Sequence, residues 1–139
     1  PPTNSSTLLK LKLKLKLIHV LQSLQYNETM TSLDLSNNII GGFREFMNKT
    51  APRLDEHNRR VETAGDAISQ ALRINTTLTK LDLGWNQLGS RSGILLGEML
   101  GTNKTLKWLN LGYNSIKDVG AQHLFTEVKP TSTSTSTTK

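Results

Sequence analysis

Three stretches of the chain repeat one arrangement of apolar and polar positions. Met30–Ile40, Leu78–Leu88 and Leu106–Ile116 each read apolar-x-x-Leu-x-Leu-x-x-Asn-x-apolar. Leu81-Asp82-Leu83 and Leu109-Asn110-Leu111 lie 28 residues apart, as do Asn86 and Asn114. Asn27, Asn75 and Asn103 each stand three residues ahead of the first apolar position. Leu-x-Leu alternation turns both leucines to one face of a strand and the residue between them to the other. After each strand, Asn38, Asn86 and Asn114 are placed to turn inward, where an amide satisfies backbone groups exposed by the bend. Gly65–Leu72 and Gly93–Leu100 carry apolar residues at three- and four-residue spacing, the pattern of a helix with one buried stripe. One strand and one helix cannot bury that apolar face alone, but stacked copies can. The pattern therefore predicts an α/β fold: a short solenoid with a concave parallel β-sheet and helices on its convex side.

These residues resemble the leucine-rich repeat, and the 28-residue period resembles its ribonuclease-inhibitor-like subclass, found also in NOD-like receptors and the Ran GTPase-activating protein. The recognisable pattern covers roughly residues 18–125. The resemblance implies a right-handed solenoid and an intracellular sensor, scaffold or regulator of small GTPases. It says little about activity, because one scaffold carries many roles. No functional residue of the Ran-directed activator carries over to a position here.

The spacing divides the chain into a Leu-Lys segment at 1–17, a repeat domain at 18–129 and a Ser/Thr tail at 130–139. The interval from Leu33 to Leu81 is 48 residues, 20 more than the period. The excess lies near 41–60, holds Ala51-Pro52 and the charged run Arg53–Arg60, and lacks a Leu-x-Leu core. It reads as a loop or short helix bulging from the solenoid, with a solvated charged surface. Leu9–Leu17 alternates strictly between leucine and lysine. Three readings stay open: a strand covering the first edge of the stack, a contact with an anionic membrane surface, or a low-complexity, aggregation-prone edge. Leu17–Leu24 reads as the helix of a preceding, truncated repeat. The tail has nothing to bury and is expected to be disordered. A chain that begins at Pro1 without a methionine reads as a fragment or a processed form.

Composition narrows the chemistry. Aromatics make up 5% of the chain, which argues against a large aromatic-lined cleft. The absence of cysteine removes disulfides, cysteine-ligated zinc, iron–sulfur clusters and thiol nucleophiles together. The net charge of +6 owes most to Lys10, Lys12, Lys14, Lys16 and Lys139, while residues 18–129 hold 12 basic and 11 acidic side chains. No basic face for nucleic acid follows from that distribution. No window reaches the roughly 18 consecutive apolar residues of a membrane span. Gly84 and Gly89 have the outer spacing of a phosphate-binding loop, but Ser90 stands where its lysine belongs. His19, His57 and His123 show neither metal-site spacing nor a paired nucleophile. No catalytic residue, cofactor, metal or small-molecule substrate is expected. Asn-x-Ser/Thr occurs at Asn4, Asn27, Asn48, Asn75 and Asn103. Three of these recur with the repeat, at a turn where asparagine is expected in the left-handed conformation that ends a helix.

The repeat assigns a face to each residue beside the buried leucines. Ser32, Asp34, Ser36 and Asn37 belong to the first rung, Lys80, Asp82, Gly84 and Trp85 to the second, and Trp108, Asn110, Gly112 and Tyr113 to the third. Both tryptophans and one of the two tyrosines thus project away from the core, with Trp85 and Tyr113 in one column. Exposed Trp and Tyr are enriched at binding hot spots, and Gly84 and Gly112 are expected to leave room for a partner's chain. Asp34 and Asp82 sit on neighbouring strands, where two carboxylates share a proton or cation or stay solvated; Asn110 is their third rung. The expected partner-binding set is Trp85, Trp108, Tyr113, Lys80, Asp82, Asp34 and Asn110. The competing reading is that the rings pack on one another or on the inserted loop. The function expected is a non-enzymatic module that binds a protein partner on the concave face. The alternatives are a GTPase-activating or GTPase-regulatory protein and a fragment of a longer array without independent activity. The missing cysteines and the subclass resemblance point to the cytoplasm.

Overall fold

The structure, a computed structural model, describes residues 19–41 and 63–127. Helical residues 19–23 lead into a 3-10 turn at Leu24–Tyr26 and then strand β1, Ser32–Asp34. Helix α1 spans Ala64–Ile74, β2 Lys80–Asp82, α2 Ser90–Thr102, β3 Trp108–Asn110 and α3 Lys117–Glu127. The three strands form one parallel sheet in the order β1-β2-β3, with Leu33, Leu81 and Leu109 in register. Parallel neighbours require a crossover, and α1 and α2 supply it. The expected insertion, the Leu-Lys run and the Ser/Thr tail fall outside the described residues.

The core lies between sheet and helices. Leu81, Leu83 and Leu88 of the middle rung are fully buried against Ile68 and Leu72 of α1 and Leu96 and Met99 of α2. Leu33 and Leu35 on the first rung, and Leu109 and Leu111 on the last, are only partly buried. That gradient is a property of a stack, because each rung is sealed by the rung on either side. Leu21 and Leu24 are buried too, so the residues before β1 extend the helical layer; the described part of the expected Leu17–Leu24 helix is helical over 19–23.

Helix α1 starts at a capping box: the Thr63 hydroxyl accepts from the Asp66 amide at 3.2 Å, and the Asp66 carboxylate accepts from the Thr63 amide at 3.0 Å. Asp66, 5% exposed, also pairs with Arg91 of α2 at 3.1 Å, tying two helices together at their first turns. Helices α2 and α3 meet through glycine. An added β-carbon on Gly97 would lie 2.7 Å from the carbonyl of His123, and one on Gly93 would lie 2.9 Å from the Gly120 α-carbon.

The turn asparagines satisfy backbone groups at the bend, as the pattern predicts, and they also link the rungs. The Asn86 side-chain oxygen accepts from the amides of Asn38 and Ile40, and its nitrogen donates to the carbonyls of Leu35 and Gly84. One rung further, the Asn114 oxygen accepts from Asn86 and Leu88, and its nitrogen donates to Leu83. The helix-ending asparagines depart from expectation. Asn75 and Asn103 are extended, with φ of −63° and −70°, not left-handed. Each uses its side-chain oxygen to cap amides two and three residues on, at Thr77 and Leu78 or Thr105 and Leu106. The nitrogen then reaches back to the preceding rung, to Leu24 from Asn75 and to Leu72 from Asn103. A left-handed residue would satisfy carbonyls of its own helix; the extended one bridges rungs, which repays a stack better.

Candidate interaction surface on the parallel sheet

The outward positions of the strands form columns across the rungs. Ser32, Lys80 and Trp108 are register partners in one, and Asp34, Asp82 and Asn110 in the next. Asn37, Trp85 and Tyr113 follow where the chain turns out of each strand, and all three have positive φ, at 60°, 57° and 56°. The turn is held by the Asn37 amide donating to Gly84 at 2.9 Å and the Trp85 amide donating to Gly112 at 3.0 Å. Asparagine tolerates this backbone, but a bulky aromatic there is a strained choice, costing on the order of 1–2 kcal/mol.

The two strained aromatics are stacked, with ring centroids 3.9 Å apart and planes 12° from parallel. They nevertheless remain 56% and 73% exposed. Stacking returns about 0.5–1.5 kcal/mol, less than two strained residues cost together. The rings therefore pack on each other, as the competing reading holds, and also face outward, as the binding reading holds. Trp108, 43% exposed, lies under the Lys80 ammonium, 4.8 Å from the ring centroid.

The Asp/Asn column has a local duty that its spacing did not reveal. Asp34, Asp82 and Asn110 each curl back to accept the amide two residues on, from Ser36, Gly84 and Gly112, at 2.8–2.9 Å. Asn110 also donates to both oxygens of Asp82, at 3.0 and 3.2 Å. This contact corrects the expectation for Gly84. A β-carbon there would meet the Asn110 amide nitrogen at 3.0 Å and the Asp82 carboxylate at 3.2 Å, so the glycine makes room for its own neighbours, not for a partner's chain. The sequence signal was an Asp or Asn two residues before Ser or Gly, the mark of an Asx turn.

Asp34 is exposed, and its carboxyl is held below the ordinary carboxylate value. The Ser36 hydroxyl is the main cause, the Ser36 amide adds to it, and the Lys80 ammonium contributes least. Because the folded value is depressed, the stabilisation is complete above the unfolded value and is lost as pH falls through the folded one. Ser36→Ala is expected to return the Asp34 titration towards its ordinary range, followed by carboxyl-carbon NMR; an unchanged midpoint would contradict the assignment of cause.

No group of three or more His, Asp or Glu among the described residues is placed to hold a metal ion. No described helix is long and apolar enough to cross a membrane. His19 and His123 stand far apart in the stack, on the helical residues before β1 and on α3, and His57 lies outside the described residues.

With this geometry in view, the comparisons with known proteins are specific about fold. A leucine-rich repeat family model matches residues 26–42, 75–97 and 102–125, which contain the three strands and their turns. These rungs are similar to leucine-rich repeats, and their fold is that of a short leucine-rich-repeat solenoid. No curated protein matches the chain. Among solved structures, the leucine-rich repeat stack is similar to the actin-binding site 2 (ABS2) of leiomodin-1, with a TM-score of 0.56 at 20% identity over 77% of this chain. The match covers 51% of the leiomodin-1 chain, so this chain spans about half its length. Identity at that level carries the leucine-rich-repeat fold and no more.

Proposed function

We propose that this chain is a non-catalytic recognition module whose concave sheet face binds a protein partner. Trp85, Trp108 and Tyr113 supply the contact area, Lys80 and Asp82 set orientation, and Asp34 and Asn110 flank them. The observation that carries this reading is the stacked, exposed Trp85–Tyr113 pair held on left-handed backbone. Strain retained at an exposed site is the pattern of a surface kept for contact, not for stability. The 28-residue spacing and a full helix in both α2 and α3 support placement in the ribonuclease-inhibitor-like subclass. A cytoplasmic location is supported by that subclass, by the lack of cysteine, and by the use of Asn75 and Asn103 as inter-rung bridges instead of exposed acceptors. The fold likeness to a leiomodin-1 actin-binding site makes actin the first partner to try.

The test is an affinity capture from native lysate, with actin co-sedimentation beside it, comparing wild type with Trp85→Ala/Trp108→Ala/Tyr113→Ala. Circular dichroism must show both folded. A partner held by wild type and lost by the folded triple variant supports the reading; equal capture by both overturns it. Trp85→Asn separates recognition from folding. It relieves strain of about 1–2 kcal/mol and forfeits stacking of about 0.5–1.5 kcal/mol. Stability should therefore stay within about 1 kcal/mol of wild type, while partner binding falls.

A further inference from the structure

We infer that the partner presents an arginine to this surface, its guanidinium stacked on the face of Trp85 that looks towards the first rung, beside Asp34. This rests on the concave-face reading above. Trp85 and Tyr113 are near parallel, so Tyr113 covers one face of Trp85 and the other looks back along the column. On the first rung the same column holds Asn37, whose side chain is short and exposed. Among the described residues the ring stack thus stops at Trp85, and the next place in the column is that of the exposed Asn37. Three residues earlier on that rung, Asp34 offers an exposed carboxylate whose hydrogen bonds among the described residues are to its own turn at Ser36.

A flat cation fits this place better than a compact one. Guanidinium is planar, weakly hydrated and forked, so it stacks on an aromatic face and pairs a carboxylate at once; an ammonium is strongly hydrated and does neither as well. The surface already places one cation over a ring, since the Lys80 ammonium lies over Trp108. Lys80 is thereby engaged on the far side of the Asp column, and among the described residues no cation lies over the Trp85–Tyr113 pair. An acidic partner would meet Asp34 and Asp82 in the central column and gain no counter-charge from it.

The two tryptophans of the chain both lie on this surface, so each indole N–H resonance in an NMR spectrum of the whole chain reports on it. The probes are blocked pentapeptides identical except for a central arginine, lysine, norleucine or glutamate. The arginine peptide is expected to shift the Trp85 indole resonance, with affinity about tenfold above its lysine twin. Asp34→Asn, at an exposed position, should lower that affinity by about tenfold and leave the fold intact by circular dichroism. Equal binding of lysine or norleucine peptide, tighter binding of the glutamate peptide, or indifference to Asp34→Asn would overturn the inference. Failure of the wider reading looks different: the folded triple variant would then keep its partner. If that variant loses the partner and excess arginine peptide does not displace it from wild type, the arginine assignment alone falls.

Discussion

Asn86→Ala is expected to destabilise the fold by about 2–5 kcal/mol, enough to leave a three-rung stack largely unfolded at physiological temperature. Asn86 is fully buried and makes four hydrogen bonds, but they are not equally hard to replace. The Leu35 carbonyl keeps a second donor in the Asn38 side chain, and the Gly84 carbonyl keeps the Asn37 amide. The amides of Asn38 and Ile40 lose their acceptor outright, and Ile40 is 1% exposed, where water cannot reach its N–H. Each stranded donor costs about 1–3 kcal/mol, and the emptied side-chain space adds to it.

The same substitution elsewhere in the ladder should cost less. Asn114→Ala also strands two amides, of Asn86 and Leu88, but its side chain is half-exposed at the end of the stack, where water enters. Asn38→Ala strands none among the described residues, where that side chain donates to Leu35 and Ser36. Urea denaturation of the three variants should rank them Asn86, Asn114, Asn38 in falling order of loss. Equal losses at Asn86 and Asn38 would refute the ladder as the element that joins the rungs.

This gradient was half legible in the sequence. The repeat register placed the strand leucines and the turn asparagines of the three described rungs on the correct face, since alternation and periodicity are local and survive any fold that stacks them. The columns of the outer face followed from the same register, so Trp85, Tyr113, Lys80 and Trp108 lie where the pattern put them. Which amide lacks a substitute partner did not follow, because that depends on atoms 26 to 51 residues away.

Backbone conformation was the least legible feature. Left-handed geometry was expected at Asn75 and Asn103, on the general preference of asparagine at helix ends. It occurs instead in the turns after the strands, at Asn37, Ile39, Trp85, Gln87 and Tyr113, and at Lys117. Propensity points away from the bulky residues among these, and at Asn37 and Trp85 the inter-rung amide bonds to Gly84 and Gly112 hold the turn. Gly84 misled in a related way. Its small size does create space, but the Asp82–Asn110 contact fills it.

Gly97→Val is expected to cost about 3 kcal/mol or more, with Gly97→Ala at about 1–3 kcal/mol. The sign is the informative part. In a free helix, replacing glycine with alanine stabilises by about 1 kcal/mol. At Gly97 the new β-carbon would stand 2.7 Å from the carbonyl carbon and oxygen of His123 and 3.0 Å from the Leu124 amide nitrogen. Those are backbone atoms, which cannot swing aside as a side chain can, so α3 must move as a body. Gly93 lies one turn earlier on the same face of α2 and approaches Gly120, which leaves no hinge along the contact. A thermal melt in which Gly97→Ala raises the midpoint would show that helix propensity wins and that the close approach does not bind the helices. The damage should be regional, because a rung in a stack is supported only by its neighbours. Hydrogen exchange should therefore rise first in β3 and α3, while the β1–β2 pairing keeps its protection. Trp108 and Tyr113 ride on that last rung. A substitution on the convex side should thus also dissolve the Trp85–Tyr113 stack, read as loss of its near-ultraviolet circular dichroism, and with it the recognition surface.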